Sequence, residues 1–158
     1  MVTMNSGVEA QGDAMLLVGT ARRPITPNVR DQSVLLAGDA PGRRAVRVLD
    51  DLGARALALR CGRETVVWVA LDLLGLPYPV LREVRQQVAA PGLPAEQVLV
   101  SCTRNHAGPD LSRGGQRGLW RRASRRTYAR FLSVQLAAIV REALAGLRTE
   151  PPAAEEFP

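Results

Sequence analysis

Residues 54–61 (ARALALRC) interleave arginines with apolar side chains, and residues 65–71 (TVVWVAL) are almost continuously apolar and β-branched. The first pattern predicts a strand, the second a strand buried on both faces. Gly62-Arg63-Glu64 joins them tightly, so the pair predicts a hairpin. Upstream, residues 14–20 (AMLLVGT) predict a short strand, ended by a turn at Arg22-Arg23-Pro24. Pro24, Pro27, Gly38, Pro41 and Gly42 then punctuate an irregular stretch reaching about Val46, interrupted only by the apolar run 33–37. An irregular stretch of that length inside a compact domain is commonly functional or substrate-facing.

Downstream the period changes. Over residues 77–90, Val80, Leu81, Val84 and Val88 share one helical face, with Arg82, Glu83, Arg85 and Gln86 on the other. Pro91-Gly92-Leu93-Pro94 ends this helix, and residues 97–103 predict another strand. Strand, helix and strand in succession form a βαβ unit, which crosses over right-handedly between parallel strands. Residues 111–124 are an Arg- and Gly-rich linker. Residues 126–147 predict the longest helix, with Phe131, Leu132, Leu136, Ile139, Val140, Ala143 and Leu147 facing inward, stopped by Gly146 and Pro151-Pro152. The fold class is therefore α/β, a mixed sheet with a βαβ unit and packed helices in a single domain over residues 14–150. Residues 1–13 and the acidic tail 151–158 are expected to be disordered.

Composition narrows this picture only slightly. With 158 residues the chain is long enough for one real core. Aromatics make up 4%, so Leu, Val and Ala must fill that core. The net charge of +6 suggests an anionic partner. All 21 basic residues are arginine, however, in a chain rich in Ala, Gly and Pro, a bias typical of GC-rich coding. Cys61 and Cys102 form no Cys-x-x-Cys and read as buried strand-end thiols. Residues 1–14 lack the apolar core of a signal peptide, and no apolar run approaches the ~20 residues of a membrane span. A cytoplasmic location is the expectation.

The candidate chemistry gathers in residues 98–110 (VLVSCTRNHAGPD), where a strand breaks into a loop holding His106, the only histidine. Open α/β sheets bind ligands beyond the carboxyl ends of their strands. The parallel crossover puts Asp72, at the end of the 65–71 strand, on the same edge as Arg104, Asn105, His106 and Asp110. His106 reads either as a substrate-site group or as a structurally bonded loop histidine. Asp72 reads either as its acid/base partner or as a strand-end cap. Cys102 and His106 are four apart and with Asp110 offer an ad hoc metal site as a minor alternative, weakened because they span a strand end and a loop rather than one helix face. A separate feature is the run Arg113, Arg117, Arg121, Arg122, Arg125, Arg126 and Arg130, interleaved with Trp120 and Tyr128. On a helix it makes a cationic face for anionic lipid or nucleic acid, or a merely solvated one. No base-reading motif accompanies it, which argues against nucleic acid.

Thr103-Arg104-Asn105-His106-Ala107-Gly108-Pro109 resembles the Thr-His-Thr-His-Ser-Gly-Pro loop of the neutral/alkaline ceramidase family. Val18-Gly19-Thr20-Ala21-Arg22 through Ile25-Thr26-Pro27 is similar to that family's opening motif, with Pro24 where Asp is usual. Leu36-Ala37-Gly38 is similar to its Met-x-Gly turn, with Asp39 where an aromatic often follows. Ala54-Arg55-Ala56-Leu57, Leu71-Asp72-Leu73-Leu74-Gly75 and residues 92–101 follow in the family's order, so the likeness spans residues 17–147.

The resemblance implies zinc-dependent hydrolysis of an N-acyl amide of the ceramide type, with a lipid-like substrate. It puts Arg104 at the metal-ligand position and His106 at a substrate-facing one, with Gly38, Asn105, Asp72 and Asp110 around them. A guanidinium offers only donors and stays charged, so Arg104 cannot ligate zinc. Family enzymes run to several hundred residues, with their remaining ligands beyond the matched region. The expectation is a chain that binds no zinc alone and is inactive or nearly so, whether as a short paralogue, a truncated gene or one piece of a split protein whose second chain supplies the missing part. The competing expectation is a non-catalytic protein that holds an anionic partner through residues 113–130, with Arg117, Arg121, Arg122, Arg125 and Arg126 as contacts.

Overall fold

The computed structural model describes residues 15–30, 34–38, 42–89, 92–111 and 122–149, and of 122–125 the backbone alone. The expected leader 1–13, the tail 151–158, Arg113, Arg117 and Arg121 lie outside these residues. Among the described residues, four strands form one sheet in the order β1-β2-β3-β4. They are β1 (Leu16–Pro24), β2 (Gly53–Cys61), β3 (Glu64–Leu71) and β4 (Val98–Cys102). The first three pair antiparallel, and β4 joins β3 in parallel, with Leu71 opposite Cys102. Helix α1 (Tyr78–Val88) makes the crossover, and α2 (Arg122–Ala145) packs on α1 and across β1, β2 and β3. The mixed sheet, hairpin and βαβ unit stand as the hydrophobic pattern predicts. Among the described residues no helix is long and apolar enough to cross a membrane.

The β2–β3 hairpin closes through Gly62, whose φ of +57° fits a tight two-residue turn. Pro79 occupies the first turn of α1, where its missing N–H costs nothing. Val80, Val84 and Val88 of α1 and Leu132, Leu136, Ile139 and Val140 of α2 enter one core with Ala54, Ala56, Val67 and Val69 of the sheet. Small residues on β2 let α2 lie close. At Gly19 of β1 the approach is tighter still, because an added Cβ would meet the Ala143 carbonyl oxygen. Beyond α2 the chain turns back onto the sheet: Val18 and Arg148 exchange both backbone hydrogen bonds, at 2.8 and 3.1 Å.

Several expectations need correction. β1 does not turn at Arg22-Arg23 but continues to Pro24, paired with β2 throughout. The reason lies in Arg23, whose guanidinium reaches α2, donating to Gln135 Oε1 at 3.0 Å and pairing with Glu142. That pairing holds the Glu142 carboxyl below its ordinary range. α2 begins at Arg122 rather than 126, since Arg and Ala propagate a helix readily. β3 is not buried on both faces. Thr65, Val67, Val69 and Leu71 face the helices, whereas Trp68 is 54% exposed on the opposite face. Register sets Trp68 between Leu57 and Leu99, with Leu59 opposite Val66. An apolar sheet face is thus left open among the described residues. Cys61 lies at the exposed tip of the hairpin, and only Cys102 is partly buried.

Candidate functional site

The parallel pairing of β3 and β4 brings both of their carboxyl ends to one edge. There the loop after β4 is stitched to the loop after β3: Thr103 N–H donates to Leu71 O at 2.9 Å and Arg104 N–H to Leu73 O at 3.0 Å. The long connection from β1 to β2 covers this same edge, because β1 ends and β2 begins there. It is less irregular than its prolines suggest. Residues 34–37 lie between two neighbours, with Leu35 bridged to Arg44 and Leu36 to Pro109. Ala37 N–H donates to Gly108 O, and Asp110 N–H donates to Leu35 O. The loop carrying His106 is therefore bonded into a ribbon with a segment about seventy positions earlier.

Next to this ribbon, Gly38 lies against the side chain of His106. Its φ is +112°, and a Cβ there would lie 3.0 Å from His106 Cβ and 3.1 Å from Nδ1. The His106 side chain is packed over Gly38, so the structure brings these two candidates together. Gly38→Ala is expected to cost about 1–2 kcal/mol through backbone strain and to displace the imidazole. As His106 is the only histidine, its NMR ring signals report the displacement unambiguously. Unchanged signals in a folded variant would contradict the packing.

The other candidates separate. Asp72 Oδ2 accepts from Gly53 N–H at 2.9 Å and from Arg55 Nη1 at 3.3 Å. These bonds are those of a strand-end cap joining β3 to β2. Asn105 Oδ1 accepts from Ala107 N–H at 2.7 Å, an Asx turn that shapes the loop. Asp72 and Asn105 both line a cleft of about 490 Å³, walled by Val29, Val34, Leu36, Leu52 and Pro109. Arg104 and Asp110 line a second cavity of about 350 Å³ with Leu74, Leu76 and Leu111. Asp110 is buried, whereas Arg104 is exposed. The Arg104 backbone is left-handed at φ +66°, and its Nη1 lies 3.5 Å from Leu74 O.

The sequence marks the stretch reaching Val46 as substrate-facing, but it singles out none of the residues on the far wall of the larger cleft. Thr26 Oγ1 donates to Asp51 Oδ1 at 2.7 Å and accepts from Leu52 N–H at 2.8 Å, fixing the polar corner. Arg43, Arg44 and Arg47 line the same cleft. The available signal was their clustering in a segment without regular structure.

Among the described residues the candidates do not make up a set of zinc ligands. Arg104 brings a fixed cation whose guanidinium offers only donors, so it cannot ligate a metal. Burial pushes the Cys102 thiol up, against the opposing influence of Arg104 and a backbone hydrogen bond from Leu76, which disfavours the thiolate that a metal needs. Among the described residues no three His, Cys, Asp or Glu side chains converge on a common point. Of the cationic run, Arg122 and Arg125 stand on α2 without described side chains, and Arg126 and Arg130 are exposed.

No protein-family model and no curated protein sequence matches the chain. Solved structures do. The crystal structure of neutral ceramidase from Pseudomonas aeruginosa superposes with a TM-score of 0.69 at 18% identity, covering 87% of this chain and 22% of that one. A ceramidase complexed with C2 gives a TM-score of 0.70 at 18% identity, covering 86% and 22%. At this identity the likeness is one of fold. The chain spans about a fifth of the length of the ceramidases it matches, with 22% of each covered.

Proposed function

We propose that this chain forms the substrate-side edge of a ceramidase-like amide hydrolase and completes no metal chemistry by itself. The carrying observation is the 490 Å³ cleft at the carboxyl edge of the sheet. Its aliphatic wall suits an acyl chain, and its corner of Thr26, Asp51, Asp72 and Asn105 offers partners for an amide and neighbouring hydroxyls. Ceramide-type N-acyl amides have this combination of parts. Zinc in such chemistry polarises the carbonyl and activates water, and it ordinarily needs three protein ligands. Arg104 removes one ligand position, and the others belong to a second polypeptide or to further sequence. The open sheet face around Trp68 supports that reading, since it is apolar enough to take another layer.

The test combines zinc content, binding and turnover in the 158-residue chain and its Arg104→His variant. A short-chain N-acylsphingosine is expected to bind without hydrolysis, and zinc is expected below stoichiometric. Histidine tolerates the left-handed backbone at position 104, so the variant should fold. It should gain zinc affinity without gaining turnover, one ligand being too few. Stoichiometric zinc with turnover in the unmodified chain would overturn the proposal. Native mass measurement of the protein with co-purifying partners shows whether a second chain completes it.

A further inference from the structure

Residues 43–49 (RRAVRVL) present their apolar side chains to solvent in a way the rest of the connection does not. Val46 is 88% exposed, Leu49 82% and Val48 44%, whereas Val34, Leu35 and Ala37 nearby are buried. Both ends of the stretch are pinned. Ala45 N–H donates to Val34 O and Leu36 N–H to Arg43 O, while Leu52 is held by Thr26 and Ile25. The tips are thus kept outward by backbone bonds at their base. Arg43, Arg44 and Arg47 stand among them and take no part in the ion pairs Arg23–Glu142 and Arg55–Asp72. Asp50 and Asp51 follow, so three arginines stand against two aspartates, with the positive charges gathered around Val46.

Apolar tips surrounded by guanidinium groups match the layering of a lipid surface. Aliphatic side chains enter the acyl boundary, and arginines stay at the level of anionic headgroups with their stems buried. We infer that residues 43–49 dock this domain onto an anionic lipid surface, with the 490 Å³ cleft opening beside the contact. Arg43, Arg44, Val46, Arg47, Val48 and Leu49 all line that cleft, so a lipid-borne ligand would enter it without crossing bulk water. The inference does not rest on the amide-hydrolase reading, because surface binding is measured without substrate.

The experiment is flotation of the full chain with phosphatidylcholine vesicles and with vesicles enriched in phosphatidylglycerol. Binding is expected to the second kind and to fall as salt rises. Replacing all three arginines by alanine should weaken it on the order of 100-fold, about five-fold for each arginine near such a surface. The exposed double substitution V46D/L49D should weaken it at least as much, with an unchanged melting temperature. R126A/R130A, on α2, should leave it unchanged. Equal binding to neutral and anionic vesicles, or retention by both loop variants, would overturn the inference. So would loss in the α2 variant alone, or a self-association of the parent chain that V46D/L49D abolishes, which would make the stretch a protein interface.

Discussion

Gly19→Ala is expected to destabilise the fold by about 3 kcal/mol, the upper part of the range for overpacked sites. The new Cβ would sit 2.0 Å from the Ala143 carbonyl oxygen and 3.0 Å from Gly146 C and Leu147 N. All three are backbone atoms, so no side chain can swing aside. α2 must then retreat from β1 along the line where Val18 and Arg148 pair, which separates the sheet from its covering helix. Chemical denaturation reads the loss as a lower midpoint at unchanged slope. A variant within about 0.5 kcal/mol of the parent would show that the helix gives way without cost. Gly75→Ala is the matched control, because its Cβ would meet nothing within 4 Å.

The second large effect belongs to Tyr128, almost fully buried on α2, with its hydroxyl donating to Ile25 O at 2.8 Å. Ile25 N–H in turn donates to Leu52 O, so one phenol ties the helix to both ends of the cleft-bearing connection. Tyr128→Ala is expected to cost about 4 kcal/mol, as other buried aromatic truncations do. Tyr128→Phe keeps the ring and orphans the carbonyl, for about 1–2 kcal/mol. Burial pushes the Tyr128 phenol well above its ordinary value of 10. The neutral form is therefore favoured by folding. Its contribution is whole below about pH 10, where the unfolded phenol is still protonated, and is lost as pH rises beyond that. The slope is about 1.4 kcal/mol per pH unit for one proton. Stability curves of parent and Tyr128→Phe should converge above pH 10. Curves that stay parallel would refute the assignment.

What was legible in the sequence follows from the range of the interactions involved. Residues 54–71 declare a hairpin because alternation and a tight turn are local. Val80, Val84 and Val88 declare a helix face for the same reason. The parallel crossover then places Asp72 and the His106 loop on one edge by topology alone. The ribbon at Leu35, Arg44 and Pro109 was hidden, since its partners are distant in sequence and too short to show a period. Arg23 looked like part of a turn because its partners, Gln135 and Glu142, lie on the last helix. Trp68 looked buried because composition does not reveal how many faces of a sheet are covered. Arg104 disclosed its chemistry but not its left-handed backbone, which the bonds from Thr103 and Arg104 to the β3 loop impose.

Pro24 and Gly53 are register partners at the end of the β1–β2 pair. The whole connection between them leaves and re-enters the sheet at neighbouring points, as an elongated hairpin turn. Chain closure penalises such an excursion only weakly, by about 0.6 kcal/mol for each doubling of length. The scaffold therefore sets few demands on residues 46–50, provided that the pinned ends at residues 43–45 and 51–52 and the core places of Ile25, Val34 and Leu35 are kept. The shape of this edge is accordingly free to diversify by insertion, deletion or substitution in one surface excursion, while the sheet beneath folds as before.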